Sequence, residues 1–446
     1  MKILLFTLLM VFMTGLNPIQ AQKDSNVFPF EYKKVQLENG FTAYLIDAGG
    51  PGQIAYLTVV RTGSRDEWEP GRSGYAHFFE HMMFRGTEKY PDFDAVTTPI
   101  GADMNAFTGS DLTAYYLVTA NDSLEQLIDL ESDRFMNLDY SEADFRTEAG
   151  AILGEFNQGR ANPFMFLYEK LRDTAFDQHT YKHTTIGFEQ DVRQMPEGFE
   201  YSRSFFKRYY RPENCVLLIS GDFDLQKAEE LIRKYYGPWE PGYVAPEIQP
   251  EPRQTVPRQA EVEFPGRTLP TISINYKGPA WSATDRLTVA ATVLGEVAFG
   301  ENSEVYRRLV LQEQKAQTIF ADFEPLRDPY LLDISAMVNS EDDLEPVTRE
   351  ILATVEKYRE ELCDEQRLAD TISALRYGFL NQLETARGTA FALLNYVVNT
   401  GGIEAVEDYY QTLQTITPDD LREAARTYLV EETRTTVTLL PAKEGR

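Results

Sequence analysis

The stretch Ala76-His77-Phe78-Phe79-Glu80-His81-Met82-Met83-Phe84 reads H-x-x-E-H. Wound into a helix, His77 and His81 stand four residues apart, one above the other on a single face. Both imidazoles then reach one Zn²⁺ without bending the backbone. Glu80, three residues after His77, borders that face and reaches a water beside the metal. Two nitrogen ligands and an adjacent carboxylate as general base are the parts of a zinc hydrolase. A His pair on an amphipathic helix is also often only a hydrogen-bonded surface pair, and a motif with three fixed positions occurs by chance. The flanking sequence has to decide.

Upstream, residues 32–47 alternate polar and apolar around Asn39-Gly40, a hairpin turn signal. Ile54–Arg61 reads as a third strand and Gly63–Glu67 as a loop. The helix carrying the motif runs from about Ser73 and stops near Arg85-Gly86-Thr87, where glycine closes it. Gly101–Thr108 reads as an edge strand and Asp111–Leu117 as its hairpin partner. Asn121–Met136 forms a helix with Leu124, Leu127, Ile128 and Leu130 as its apolar residues. Ser141 caps the next helix, which runs to Gly159 and sets Glu148 and Glu155 two turns apart on one face. A two-His site needs a third protein ligand and an open position for water. Glu155 is the candidate, with Glu148 behind it to orient a ligand histidine. Either glutamate could equally be a plain charge on a helix surface.

These stretches resemble the pitrilysin/insulinase family of zinc peptidases, the inverzincins, and within it the short-chain branch that includes mitochondrial processing peptidase. The residues that carry the likeness are Gly74–Thr87, then Asn105-Ala106-Phe107-Thr108 with Thr113–Tyr116, then Glu148–Glu155, then Tyr210–Asn214 leading to Gly221-Asp222. They run in the family's order over residues 30–240. The resemblance implies that His77, His81 and Glu155 bind Zn²⁺, that Glu80 activates the water and that Glu148 supports the site. It also implies that Asn105, Ala106, Phe107 and Thr108 add a peptide substrate to the sheet edge, main chain to main chain. The remaining histidines, His179 and His183, fall in a structural loop region of the family and read as structural or surface residues.

Prolines crowd residues 238–258, where regular structure cannot persist. That stretch reads as a linker between a zinc-bearing domain, 22–237, and a second related domain, 259–446. The second half repeats the first in element order: strands at 260–264 and 271–276, helices at 283–299 and 303–314, strands at 316–324 and 331–338, long helices at 343–362 and 365–386, and a last strand near 435–440. It contains no H-x-x-E-H. The expected fold is α+β, two related domains, each with helices packed on a mostly antiparallel sheet, closing like a clamshell.

In the family, the second half usually supplies an Arg and a Tyr that grip the substrate, in a segment similar to Leu309–Gln317. Here the corresponding positions hold Val310 and Gln317. The oxyanion formed on the scissile carbonyl would lack its usual donors. The resemblance therefore implies pairing either with a homologous zinc-less partner subunit, as a heterodimer, or with a second copy of the chain, as a homodimer. The activity implied is hydrolysis of an unfolded peptide by a zinc metalloendopeptidase. The competing expectation is a non-catalytic binding or assembly subunit of the same fold.

The 446 residues, with 43 Lys+Arg against 70 Asp+Glu and a net charge of −27, speak against nucleic-acid binding, which needs basic patches. An acidic cavity would favour basic peptides, although most such charge is solvated surface. Met1–Ala21 has the layout of a secretory signal: Lys2, an apolar run from Ile3 to Leu16, and a small residue at Ala21. That run is short for a membrane span, no later run is long enough for one, and no Cys follows it to carry a lipid. The mature chain is expected to be exported, to the periplasm or beyond. Cys215 and Cys363 read as free buried thiols.

Overall fold

The structure, a computed structural model, describes residues 26–443, so the signal segment expected at 1–21 lies outside the described residues. The first sheet holds β1 (Tyr32–Gln36), β2 (Thr42–Asp47), β3 (Gln53–Val60), β4 (Asp103–Thr108), β5 (Thr113–Ala120) and β6 (Cys215–Gly221). Their order is β1-β2-β6-β3-β5-β4, antiparallel throughout except for β2 beside β6. The second sheet holds β7 (Arg258–Phe264), β8 (Thr271–Lys277), β9 (Ala316–Asp322), β10 (Leu331–Val338) and β11 (Arg434–Pro441), in the order β7-β11-β8-β10-β9. Its one parallel pair is β7 beside β11. Without β1 the two orders superimpose, with β4 and β9 as equivalent edges. The repeat that the sequence shows only in element order is a repeat of topology, in an α+β fold.

The helices of the first half are α1 (Tyr75–Met82), α2 (Phe93–Thr97), α3 (Leu124–Asn137), α4 (Glu142–Gly159), α5 (Pro163–Ala175), α6 (Glu189–Gln194), α7 (Phe199–Tyr209) and α8 (Leu225–Tyr236). One face of the first sheet (Leu45, Tyr56, Tyr115, Leu217) shares a core with Phe78 and Phe79 of α1, Leu127 and Ile128 of α3, Phe205 of α7 and Ile232 of α8. In the second half come α9 (Arg286–Phe299), α10 (Glu304–Tyr306), α11 (Leu344–Glu360), α12 (Glu365–Gln382), α13 (Ala386–Ala392), α14 (Leu394–Thr400), α15 (Ala405–Gln414) and α16 (Pro418–Tyr428).

The other face of the first sheet (Tyr44, Leu57, Val59, Leu218) packs on Ala390, Leu393 and Val397 from α13 and the start of α14. In return, Leu167 and Leu171 of α5 pack on Phe264, Val437 and Leu439 of the second sheet. Each half thus lends a helix to the other's sheet. This explains why β5 and β6 are apolar on both faces rather than alternating.

Two expected helices differ. In place of a regular helix over 303–314 there is the single turn α10, followed by a π-wound segment, Arg307–Gln312, with Gln314 at φ 52°. The expected helix over 365–386 ends at Gln382, and α13 starts afresh with Thr385 accepting from the Gly388 N–H. Residues 237–257 carry no helix or strand, yet they are pinned: the Glu251 carboxylate accepts from the N–H groups of Asp177, Gln178 and His179. Cys215 and Cys363 are both free; Cys215 is buried and Cys363 only partly so. Among the described residues, no helix is long and apolar enough to cross a membrane.

Ion pairs also join the halves. Arg327 donates to Asp66 at 3.1 Å, and Arg65 donates to Asp328 at 2.5 Å. His179 Nδ1 accepts from the Tyr181 N–H, which leaves Nε2 to bond Asp328 at 3.1 Å. His183 is buried with Nδ1 against the Thr184 carbonyl. Both histidines are structural.

Candidate metal centre

The motif helix α1 is held at its start. Gly74 adopts φ 90°, and a Cβ there would lie 2.6 Å from the Ile186 carbonyl oxygen, so only glycine fits. The N–H groups of Gly74 and Ala76 donate to the buried Glu67 carboxylate at 2.7 and 2.6 Å. Ser73 is held by Asp191 through its N–H and hydroxyl. Two carboxylates at a helix N-terminus satisfy its free donors and its dipole. Phe78, Phe79 and Met82 are fully buried in the core, which leaves His77, Glu80 and His81 to face β4 and α4.

Ser141 caps α4 in a reciprocal box with Asp144. From that helix Glu155 Oε2 comes within 3.5 Å of His77 Nε2 and 3.4 Å of His81 Nε2. Two turns earlier, Glu148 Oε1 meets His81 Nδ1 at 2.9 Å. Arg85, just past α1, grips the other Glu148 oxygen through Nε and Nη2 at 3.1 and 2.6 Å. Thr108 at the end of β4 donates its hydroxyl to Glu80 Oε2 at 2.7 Å. All five candidate metal-centre residues therefore meet. Asn105, Ala106 and Phe107 lie along β4, which is the sheet edge as expected. Phe107 stacks on Phe391 of α13.

Burial lowers the His77 pKa, favouring a neutral ring that can donate a lone pair. The hydrogen bond that His81 donates to Glu148, with one to Glu155, raises His81 to about 9. The bond to His81 holds both Glu148 and Glu155 below the usual carboxylate range. Burial pushes Glu80 upward, the direction a proton acceptor needs.

The donor set suits zinc. His77, His81 and Glu155 offer ligand atoms all within 4.8 Å of one another, the one such group among the described residues. Tetrahedral zinc with bonds of about 2.0–2.1 Å sets its ligand atoms roughly 3.4 Å apart, close to the 3.4 and 3.5 Å found here. Three roles escaped the sequence reading: the Glu67 cap, the Arg85 grip on Glu148 and the Thr108 bond to Glu80. Glu67 lay in a stretch legible only as a loop, and nothing in spacing alone tied it to α1.

The family description Insulinase (Peptidase family M16) fits residues 52–188, and Peptidase M16 inactive domain fits residues 199–375. The chain belongs to the M16 family. The zinc protease PqqE of Helicobacter pylori is 28% identical over 92% of this chain and 93% of its own length. The beta subunit of the mitochondrial-processing peptidase of Caenorhabditis elegans is 25% identical over 70% of this chain and 69% of its own length. Among solved structures, a protease from Helicobacter pylori matches with a TM-score of 0.86 at 26% identity, over 92% of this chain and 100% of that one. Pitrilysin matches in fold, with a TM-score of 0.76 at 17% identity, over 96% of this chain and 47% of that one. Within the M16 fold, the segment where the Arg and Tyr were expected is the π-wound turn and the start of β9. Val310 packs against the second-half core and Gln317 is exposed. Neither supplies a cationic or phenolic donor.

Proposed function

We propose that this chain is the zinc-bearing subunit of an exported metalloendopeptidase that cleaves unfolded peptides in a cavity shared with a homologous zinc-less partner. One observation carries the reading: two imidazole Nε2 atoms and the Glu155 carboxylate converge, with Glu80 on the same helix as the two histidines. Zinc, held by His77, His81 and Glu155, would polarise the scissile carbonyl and acidify the attacking water. Glu80 takes the proton from that water and passes it to the leaving amine. Glu148, fixed by Arg85, keeps the His81 ring turned with Nε2 outward. The free edge of β4, at Asn105–Thr108, aligns the peptide main chain with the site. A cleft of about 1480 Å³ opens in the second half between α9, α12 and the edge β9. None of the metal residues lines it, and its acidic lining (Glu296, Glu301, Asp322, Asp364 and Asp370 against Arg307 and Arg367) suits basic peptide segments.

The second reading is a non-catalytic assembly subunit, and Val310 with Gln317 favours it. Two measurements separate the readings: zinc content of the purified chain before and after chelation, and peptide cleavage by the chain alone and with its homologous partner. About one zinc per chain, with cleavage that requires the partner, supports the peptidase. A chain without zinc ends that reading, and full activity alone ends the claim of a shared cavity.

A further inference from the structure

We infer that Thr108 is a positioning residue for Glu80, fixing one carboxylate oxygen so that the other faces the metal side. This rests on the reading of Glu80 as the proton acceptor. The Thr108 hydroxyl donates to Glu80 Oε2 at 2.7 Å. Among the described residues it is the one hydrogen bond that this carboxylate makes. Glu80 has a flexible side chain, and a single directed bond removes freedom that would otherwise be lost at each turnover. Thr108 is itself stiff: it is β-branched and closes β4 opposite Thr113 of β5.

The bond has a second consequence. Thr108 belongs to the edge strand that would receive the peptide. The strand that sets the register of the substrate also sets the posture of the base, so peptide docking and proton removal share one stretch of backbone. The β4–β5 pairing runs through the main chain and does not use the Thr108 hydroxyl. Thr108→Val keeps shape and branching and deletes only the donor.

The test compares wild type, Thr108→Val, Thr108→Ser, Glu80→Ala and the double variant Glu80→Ala/Thr108→Val. Each is zinc-loaded and paired with the partner subunit where cleavage requires it. Zinc stoichiometry, kcat, KM and affinity for a peptide hydroxamate are measured; the hydroxamate offers an acidic proton to the base. The expected result is that Thr108→Val keeps its zinc and its KM but loses about 10-fold in kcat and in hydroxamate affinity. Thr108→Ser restores both, and in the Glu80→Ala background the Val substitution has no further effect on hydroxamate binding. Equal losses in both backgrounds, zinc lost from Thr108→Val, or an effect on KM alone would overturn the inference. Wild type that binds zinc and hydroxamate but cleaves no peptide refutes the peptidase reading, while the hydroxamate comparison still decides Thr108. Wild type that takes up no zinc ends both.

Discussion

His81 is held on both ring nitrogens, with Glu148 on Nδ1 and Glu155 at Nε2. His81→Ala should abolish both zinc binding and cleavage. Glu80→Gln should keep zinc and lose cleavage by about 10²–10⁴-fold, the usual worth of a general base. Metal analysis beside a peptide assay separates the two. Arg85 acts one step further out. Arg85→Ala leaves Glu148 held by His81 alone, with Oε2 unanchored, and should weaken zinc binding by about 10-fold, read by chelator competition. At this scale the i, i+4 histidines were legible from helix geometry, whereas spacing left Glu148 and Glu155 open as surface charges and only the family resemblance implied their roles. The Thr108 partner of Glu80 and the Arg85 partner of Glu148 were not legible, because they depend on which loop or strand ends beside the helix.

Strands and helices were legible where one period dominated. The β1–β2 hairpin, β3, β4, α3 and α4 fall within a few residues of their expected places. α5 and α13–α16 were not read from sequence. α5 and α13 lie between two layers, and apolar residues on several sides blur the 3.6-residue repeat. The seam between α5 and the second sheet also holds a carboxylate that behaves unusually. Asp333 of β10 lies opposite Asp322 of β9 and accepts from the hydroxyls of Ser273 and Ser335. Burial outweighs those bonds and raises its pKa from 3.8 to about 6. The folded chain therefore retains a proton that the unfolded chain releases between those values. The stability tied to this residue is complete below pH 3.8 and is lost as pH rises to about 6. Asp333→Asn should melt higher than wild type at pH 7, with the gap closing toward pH 4, as thermal scans across that range would show.

For the whole molecule, the repeated topology and the single metal-bearing half followed from element order and one motif. The exchange of helices between halves did not, since α5 and α13 both lay in stretches left without an assignment. Nor did the ion pairs of Arg327 with Asp66 and Arg65 with Asp328, which join residues more than 250 positions apart. Those pairs bear on the metal site, because Asp66 precedes the Glu67 that caps α1.

Because α5 covers the sheet of one half and α13 that of the other, neither half is a finished object. A protease nick within 238–258 should leave two fragments that co-elute on size exclusion and still retain zinc. Each fragment produced on its own should instead precipitate, for lack of the cover that its counterpart carries.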